Sequence, residues 1–348
     1  MVTIGIDPHK DNHSAVAVDD VGKQLAQTQC RAVADGFGEL LAWGRGLAGD
    51  RVWVLEDCRH VSGPVERFLL DHGETVARLA PHLMAQARTS VRERGKSDPI
   101  DALAVARGAL QEGLEQLPTA KLAGIELEIR LLHQHHRRLT RQRTALINDL
   151  RWNLHDLWPE LKLPSRGLTT LGLQADLARR LARASASARV RVARDELHRI
   201  RELTRTIKDL LHELDILTRQ AAPQLLGETG IGPLVAAQLI GEIAGINRFA
   251  SDAKLARISG CAPIPVSSGR TDKHRLDRGG NRQLNNALYT IAISKIRHDP
   301  TTAAYIARQR TRGKTKREAI RSLKRHLIRR IWQLLTDPNQ IPRTVCLT

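Results

Sequence analysis

Asp98 and Asp101 stand three residues apart in KSDPIDA (96–102), and two more acids close apolar runs far upstream. Asp7 ends VTIGID, and Glu56 falls at the end of RVWVLED. Residues three apart on a helix are neighbours, so Asp98 and Asp101 share one face of a turn. Two central strands and the helix that follows can bring all four carboxylates to one rim of a sheet. Four such acids can hold two Mg²⁺ ions roughly 3.5–4 Å apart, the arrangement of two-metal phosphoryl transfer. Hard oxygen donors suit Mg²⁺, with Mn²⁺ as a substitute. A plainer reading exists for the pair. Asp98 is then the N-cap before Pro99, and Asp101 a first-turn acid complementing the helix dipole. That reading leaves the acid-ended strands unexplained. Asp57 competes with Glu56; strand alternation sends them to opposite faces, so only one is a ligand. His9 and His13 are expected at the surface, with a supporting place beside the acids as the alternative.

The elements that must position these acids are legible in the pattern. Strands are expected over 2–7, 13–20 and 23–32, joined by short links, then a helix over 35–47 and a strand over 51–57. A helix near 63–72, a short strand over 75–80 and helical segments to about 110 follow. Three antiparallel strands and then alternating helices and strands make an α/β unit with a mixed sheet.

Beyond it the periodicity changes. Leu122, Ile125, Ile129, Leu132, Leu139, Leu146, Leu150 and Leu157 keep a three–four spacing, falling three, four or seven apart, with His136, Arg143 and Asn153 at intervening seam positions. Ile200, Leu203, Ile207, Leu210, Leu214 and Leu217 keep strict heptads. An antiparallel helical hairpin or coiled coil is expected, as a spacer, a dimer interface or both. Its polar seam residues call for a partner in one register. In PQLLGETGIGPLVAAQLIGEI (223–243), Gly230 and Gly232 mark a tight turn between two helices, resembling a helix-hairpin-helix. Backbone N–H groups in such a turn can hold a phosphate; the alternative is a plain turn with a glycine C-cap. The tail 308–335 carries Ala319, Ile320, Leu323, Leu327, Ile331 and Leu334 along one face, with Arg and Lys on the solvated other.

Charge divides the 348-residue chain in the same place. Residues 1–110 hold 13 Lys/Arg against 15 Asp/Glu, whereas the remainder holds 42 against 22, a net of +20. A basic surface of that size fits a polyanion, and nucleic acid first. Four scattered cysteines form no CxxC pair, which argues against a zinc ribbon or disulfide framework. With no signal peptide and no apolar run near 18 residues, a cytoplasmic protein with no membrane partner is expected.

Taken alone, these residues read as an α/β RNase H/RuvC-like domain joined to a basic helical one. GIDPHK, LED and KSDPIDA at these separations resemble the DEDD domain of the IS110-family transposases. GIGPLVAAQLIGEI, the stretch from NRFASDAKLARISGCAPIPVSSGR to GGNRQLNNAL, and YIARQRTRGKTKREAIRSLKRHLIRRIWQLL resemble that family's C-terminal transposase domain. The expected divisions are a RuvC-like DEDD catalytic domain over 1–115, a helical coiled-coil spacer over 116–220, and a mainly α-helical transposase domain over 221–348.

The resemblance implies more than the residues do. It implies a site-specific DNA recombinase, guided by a non-coding bridge RNA, with a C-terminal serine as nucleophile. The family's Ser-Gly pattern falls on Ser268 and Gly269, with Ser267 the competitor; from sequence alone, serines in a Gly/Pro loop are turn residues. Arg270, Lys273, Arg275 and Arg278 lie beside the serine, placed to steady charge on a phosphorane-like transition state or to bind nucleic-acid backbone. The family also implies a composite site of acids and serine, and a homo-oligomer, a dimer assembling to a tetramer. A RuvC-like junction nuclease working by hydrolysis alone is the rival reading. A non-enzymatic nucleic-acid binder is a third, against which the four acids count.

Overall fold

The computed structural model describes residues 1–56, 59–79, 97–117, 124–268, 271–275, 277 and 280–337, without the side chains of 59–60, 116, 267–268 and 271–273. Three strands open the chain: β1 (Val2–Pro8), β2 (Asn12–Val18) and β3 (Gln24–Arg31). Helix α1 (Ala34–Arg45), strand β4 (Arg51–Glu56), helix α2 (Arg59–Asp71), strand β5 (Val76–Leu79) and helix α3 (Asp98–Glu112) follow. The sheet order is β3-β2-β1-β4-β5. β1 pairs antiparallel with β2 and parallel with β4; β2–β3 is antiparallel and β4–β5 parallel. This is the RNase H/RuvC-like mixed sheet expected from the strand pattern. Edge strand β3 is mostly exposed and rich in glutamine.

Alternation along the strands builds two layers. Ile4, Ile6, Trp53 and Leu55 face α1 and α2 and pack on Phe37, Leu40, Val65 and Leu69. Val16, Val18 and Val54 face the other way, onto Ala102, Ala104, Val105 and Ala106 of α3. The expected helix at 63–72 begins earlier, at Arg59, and carries Pro64 inside it.

Two long helices come next, α4 (Ile125–Leu157) and α6 (Ala188–Ala221), with the short α5 (Leu171–Ala182) between them. At the far end, Leu150 and Leu154 of α4 pack with Leu177 and Leu181 of α5 and Leu197 and Ile200 of α6. The heptad positions Ile200, Ile207, Leu210 and Leu214 are therefore buried within the chain itself. The polar seam is matched there too: Asn153 Nδ2 donates to Glu196 Oε2 at 2.9 Å, and Gln174 Nε2 to Thr204 Oγ1 at 3.1 Å.

The remaining elements are α7 (Pro223–Leu226), α8 (Pro233–Ile243), α9 (Asp252–Ile258), the hairpin β6 (Ile264–Ser268) and β7 (Thr271–Arg275), α10 (Arg282–His298), α11 (Pro300–Thr311) and α12 (Lys316–Thr336). Their core runs from Ile240 through Leu288 to Leu323 and takes in Ile129 of α4 and Leu214 of α6. The base of the helical hairpin is thus packed into it. The basic tail is two helices: Gly313 (φ 85°) ends the first, and a Thr315–Glu318 capping box starts the second. Its apolar stripe is buried as expected, but so are Lys324 and Arg330, which the pattern had placed in solvent. Arg330 Nε donates to Glu228 Oε1 at 2.8 Å, and Lys295 Nζ to Glu228 Oε2 at 3.0 Å, a buried ion triad. No helix among the described residues is long and apolar enough to cross a membrane.

Candidate active site

β1 is buried along its whole length, so its last residues sit where the sheet meets α3. Gly5 faces α3: a Cβ there would fall 2.5 Å from Ala106 N and closer still to the Ala102 carbonyl oxygen. Asp7, two residues on, shares that face. It is 5% exposed. On β4 the same alternation places Glu56 on the face of Val54, which packs on α3. α3 begins at Asp98, with Pro99 second and Ser97 as N-cap. The N-cap reading of Asp98 is thereby corrected. Asp98 is the first helical residue, half exposed, and Ser97 caps without a side-chain hydrogen bond. One turn later Asp101 is 6% exposed.

The acids feel one another. Burial pushes the Asp7 carboxyl above the ordinary aspartate range; the charges of Asp101 and Glu56 push the same way, while His9 opposes them. His9 Nε2 lies 3.1 Å from Asp7 Oδ2 and 3.3 Å from Asp98 Oδ1. One ligand atom each from Asp7, His9 and Asp98 falls within 4.8 Å of the others. A desolvated carboxylate repelled by its neighbours is a place where a divalent cation lowers the energy, so the donor set fits a metal. Beside Asp98 a cleft of about 420 Å³ opens between Ser14, Gln27, Gln29 and Pro99.

A family model described as "Transposase", the DEDD model of IS110, matches residues 4–159, and a second, "Transposase IS116/IS110/IS902 family", matches residues 222–307. The chain belongs to the IS110 family of transposases. It is similar to a 44.8 kDa protein of insertion element IS116 from Streptomyces clavuligerus, 25% identical over 97% of this chain and 95% of that one. It is likewise similar to a 42 kDa protein of insertion element IS900 from Mycobacterium paratuberculosis, 25% identical over 97% and 96%. Among solved structures it is similar to T. thermophilus RuvC in complex with Holliday junction substrate, with 17% identity and a TM-score of 0.25, over 32% of this chain and 96% of that one. The transposase is thus an enzyme that cuts and rejoins DNA.

Within the transposase, Asp7 and Asp98 meet at His9, Asp101 and Glu56 are near enough to act on the Asp7 charge, and Asp57 lies outside the described residues. Ser267 and Ser268 are not in a loop; they end strand β6, Ser268 pairing with Thr271. Alternating Ile264 and Val266 in the strand are the signal that a loop reading overlooks. Gly269, Arg270 and Arg278 lie outside the described residues, as do the side chains of both serines and of Lys273; Arg275 is exposed. The two turn glycines differ. Gly230 (φ 89°) sits against Ile291 and Ser294 of α10, whereas Gly232 is exposed with open space around it at the start of α8. His13 is not at the surface: it is buried and stacked on Phe37, ring centroids 5.6 Å apart. His9 is the residue that sequence reasoning undervalued. Its only signal was its place two residues beyond a strand-ending acid.

Proposed function

We propose that this transposase cuts and rejoins DNA strands through a phosphoserine on Ser268. Asp7, Glu56, Asp98 and Asp101 hold divalent metal, Mg²⁺ foremost and two ions when the site is full, and a non-coding bridge RNA selects the DNA. The observation that carries the reading is the gathering of four acids at the rim shared by β1, β4 and α3, with Asp7 buried among them. Bound there, a divalent cation supplies Lewis-acid polarisation of the scissile phosphate. The chain's own residues do the rest. β1 and α3 fix Asp7 and Asp101 in one orientation, and His9 bridges Asp7 and Asp98. Ser268 Oγ forms a bond to phosphorus as it gives up its proton. The bond from phosphorus to the leaving sugar oxygen breaks, and that oxygen takes up a proton. A sugar hydroxyl reverses the step on the second strand. Because the ester conserves the bond energy, rejoining needs no external energy source. Arg270, Lys273, Arg275 and Arg278 follow the serine closely in sequence and offset charge on the transferring phosphoryl group.

The open N-terminus of α8 at Gly232 supports a backbone phosphate contact there, with Gly230 shaping the turn. The serine and the acids need not come from one subunit. A homo-oligomer, dimer to tetramer, follows the family, and exposed Leu131, Trp152 and Ile216 on the outside of the helical hairpin support it.

The test is a denaturing gel of end-labelled DNA with the full chain, Mg²⁺ and the matching bridge RNA, followed by peptide mapping. Wild type should form a protein–DNA adduct on Ser268, and Ser268→Ala should bind both nucleic acids yet form neither adduct nor recombinant. An adduct on Ser267 moves the nucleophile by one residue. Efficient cutting by both proteins without an adduct replaces this reading with hydrolysis by the acids alone.

A further inference from the structure

A second concavity, of about 700 Å³, opens in the C-terminal half between the turn at 260–263, the end of β7 and the junction of α11 with α12. Its size falls within the range of roughly 300–1,000 Å³ typical of ligand sites. Arg275, Arg312, Lys314, Arg321, Lys324 and Arg325 line it, against the acids Asp277 and Glu318. Three of its groups are built in rather than splayed on a surface. Lys324 is 6% exposed, yet among the described residues its Nζ hydrogen-bonds only the neutral Asn285 Oδ1, at 2.7 Å, and burial pulls its pKa down. Arg325 Nη2 pairs with Asp252 Oδ2 at 2.9 Å, while its Nη1 is buried with no acceptor among the described residues. Gln309 Oε1 is buried with no donor among the described residues. Buried polar groups left unmatched by protein call for another partner. An aromatic wall completes the cavity: half-buried His326 stands edge to face on the buried Tyr305, centroids 5.5 Å apart.

We propose that this cavity binds one nucleotide of an unpaired nucleic-acid strand, its phosphate held by Lys324, Arg325 and Arg312 and its base against His326, which Tyr305 backs. Cations alone would suit any phosphate. The concave shape and the aromatic wall suit a base that is unstacked and can enter, which a duplex withholds. The cavity lies at the open end of the β6–β7 hairpin, whose other end carries Ser268. The inference rests on the reading of the chain as a strand-cutting transposase, and adds to it a place for a displaced strand or a guide strand.

The test is fluorescence anisotropy on the full chain, with a labelled ten-nucleotide single strand and a blunt duplex of the same length. The Arg312→Ala/Arg321→Ala variant should bind the single strand about tenfold or more weakly and the duplex within twofold of wild type. Arg205→Ala/Lys208→Ala, which removes equal charge from exposed positions on α6, should stay within twofold for both. Deoxyadenosine monophosphate should compete with the single strand on wild type and lose that competition on the cavity variant, while inorganic phosphate competes far less. Should the first variant melt early, Arg312→Ala/Lys314→Ala, at two exposed positions, repeats the measurement. Unchanged single-strand binding by the cavity variants, or an equal loss in the α6 control, overturns the site. Equal competition by inorganic phosphate reduces it to an anion hole and overturns the nucleotide. Failure of wild type to bind any nucleic acid sinks the transposase reading together with the site; binding by wild type and cavity variants alike sinks the site alone.

Discussion

Gly5 of the central strand and Ala102 of α3 are in direct backbone apposition, with no room between them for a side chain. The contact sets how closely α3 lies on the sheet, and hence how near Asp98 and Asp101 come to Asp7. Gly5→Ala forces the backbones apart, since neither Ala102 O nor Ala106 N is the movable end of a side chain. Overpacking of this kind costs about 1–3 kcal/mol or more. The expected outcome is a lower melting temperature by differential scanning fluorimetry and loss of strand cleavage. Normal cleavage would show that the helix can shift without disturbing the acids.

Asp7 is held against its own electrostatics, so function and stability should separate there. Asp7→Asn keeps the shape and removes a buried charge that Asp101 and Glu56 repel. Cleavage should vanish, while the metal-free protein gains stability, seen as a higher melting temperature. Added Mg²⁺ or Mn²⁺ should raise the melting temperature of wild type and leave that of the variant nearly unmoved, because a ligand stabilises only the fold that binds it. A full metal response in Asp7→Asn would remove Asp7 from the ligand set.

Glu228 answers two buried cations, Lys295 and Arg330. Removing one member of a buried ion network leaves charge uncompensated and costs about 3–5 kcal/mol. Glu228→Ala should therefore unfold at markedly lower urea, with its loss partly relieved when Lys295→Met is added. An unaltered urea midpoint for Glu228→Ala would mean that water reaches the triad.

Acid should weaken the fold through its buried histidines. Burial, with Arg137 and His136 adding to it, brings His133 down to about 4; burial also lowers His13, His136 and His326. In that window the unfolded chain binds more protons than the native one, so stability rises with pH. For His133 it is complete above about 6.5 and falls by about 3 kcal/mol on descending to pH 4. His133→Gln should flatten that part of the melting temperature–pH curve. An identical curve would place the acid sensitivity elsewhere.

The α/β half was readable because strands alternate with period two and their terminal acids interrupt apolar runs. The same period set Glu56 and Asp57 on opposite faces; that Glu56 shares the face of Val54, against α3, is visible only in the packing. What escaped was everything fixed by contact between distant segments. The residue before a proline is biased away from helix, so Asp98 read as a cap; α3 instead starts one residue earlier, with Pro99 second. The helical period assigns Lys324 and Arg330 to solvent. Only the arrival of Asn285 and Glu228 from other elements explains why they are buried. Nothing in the sequence places His9 between two carboxylates, since that depends on α3 returning to the end of β1.

The paired helices α4 and α6, of 33 and 34 residues, extend about 50 Å at 1.5 Å per residue. Their tip has a separate apolar cluster, and their root is shared with the C-terminal core. Such a boom has a length that can be changed without redesigning either end. Removing one heptad from each helix keeps the knobs in their holes and draws the tip in by about 10 Å. Reach is therefore a quantity this architecture can vary in fixed steps, independently of the chemistry at its base.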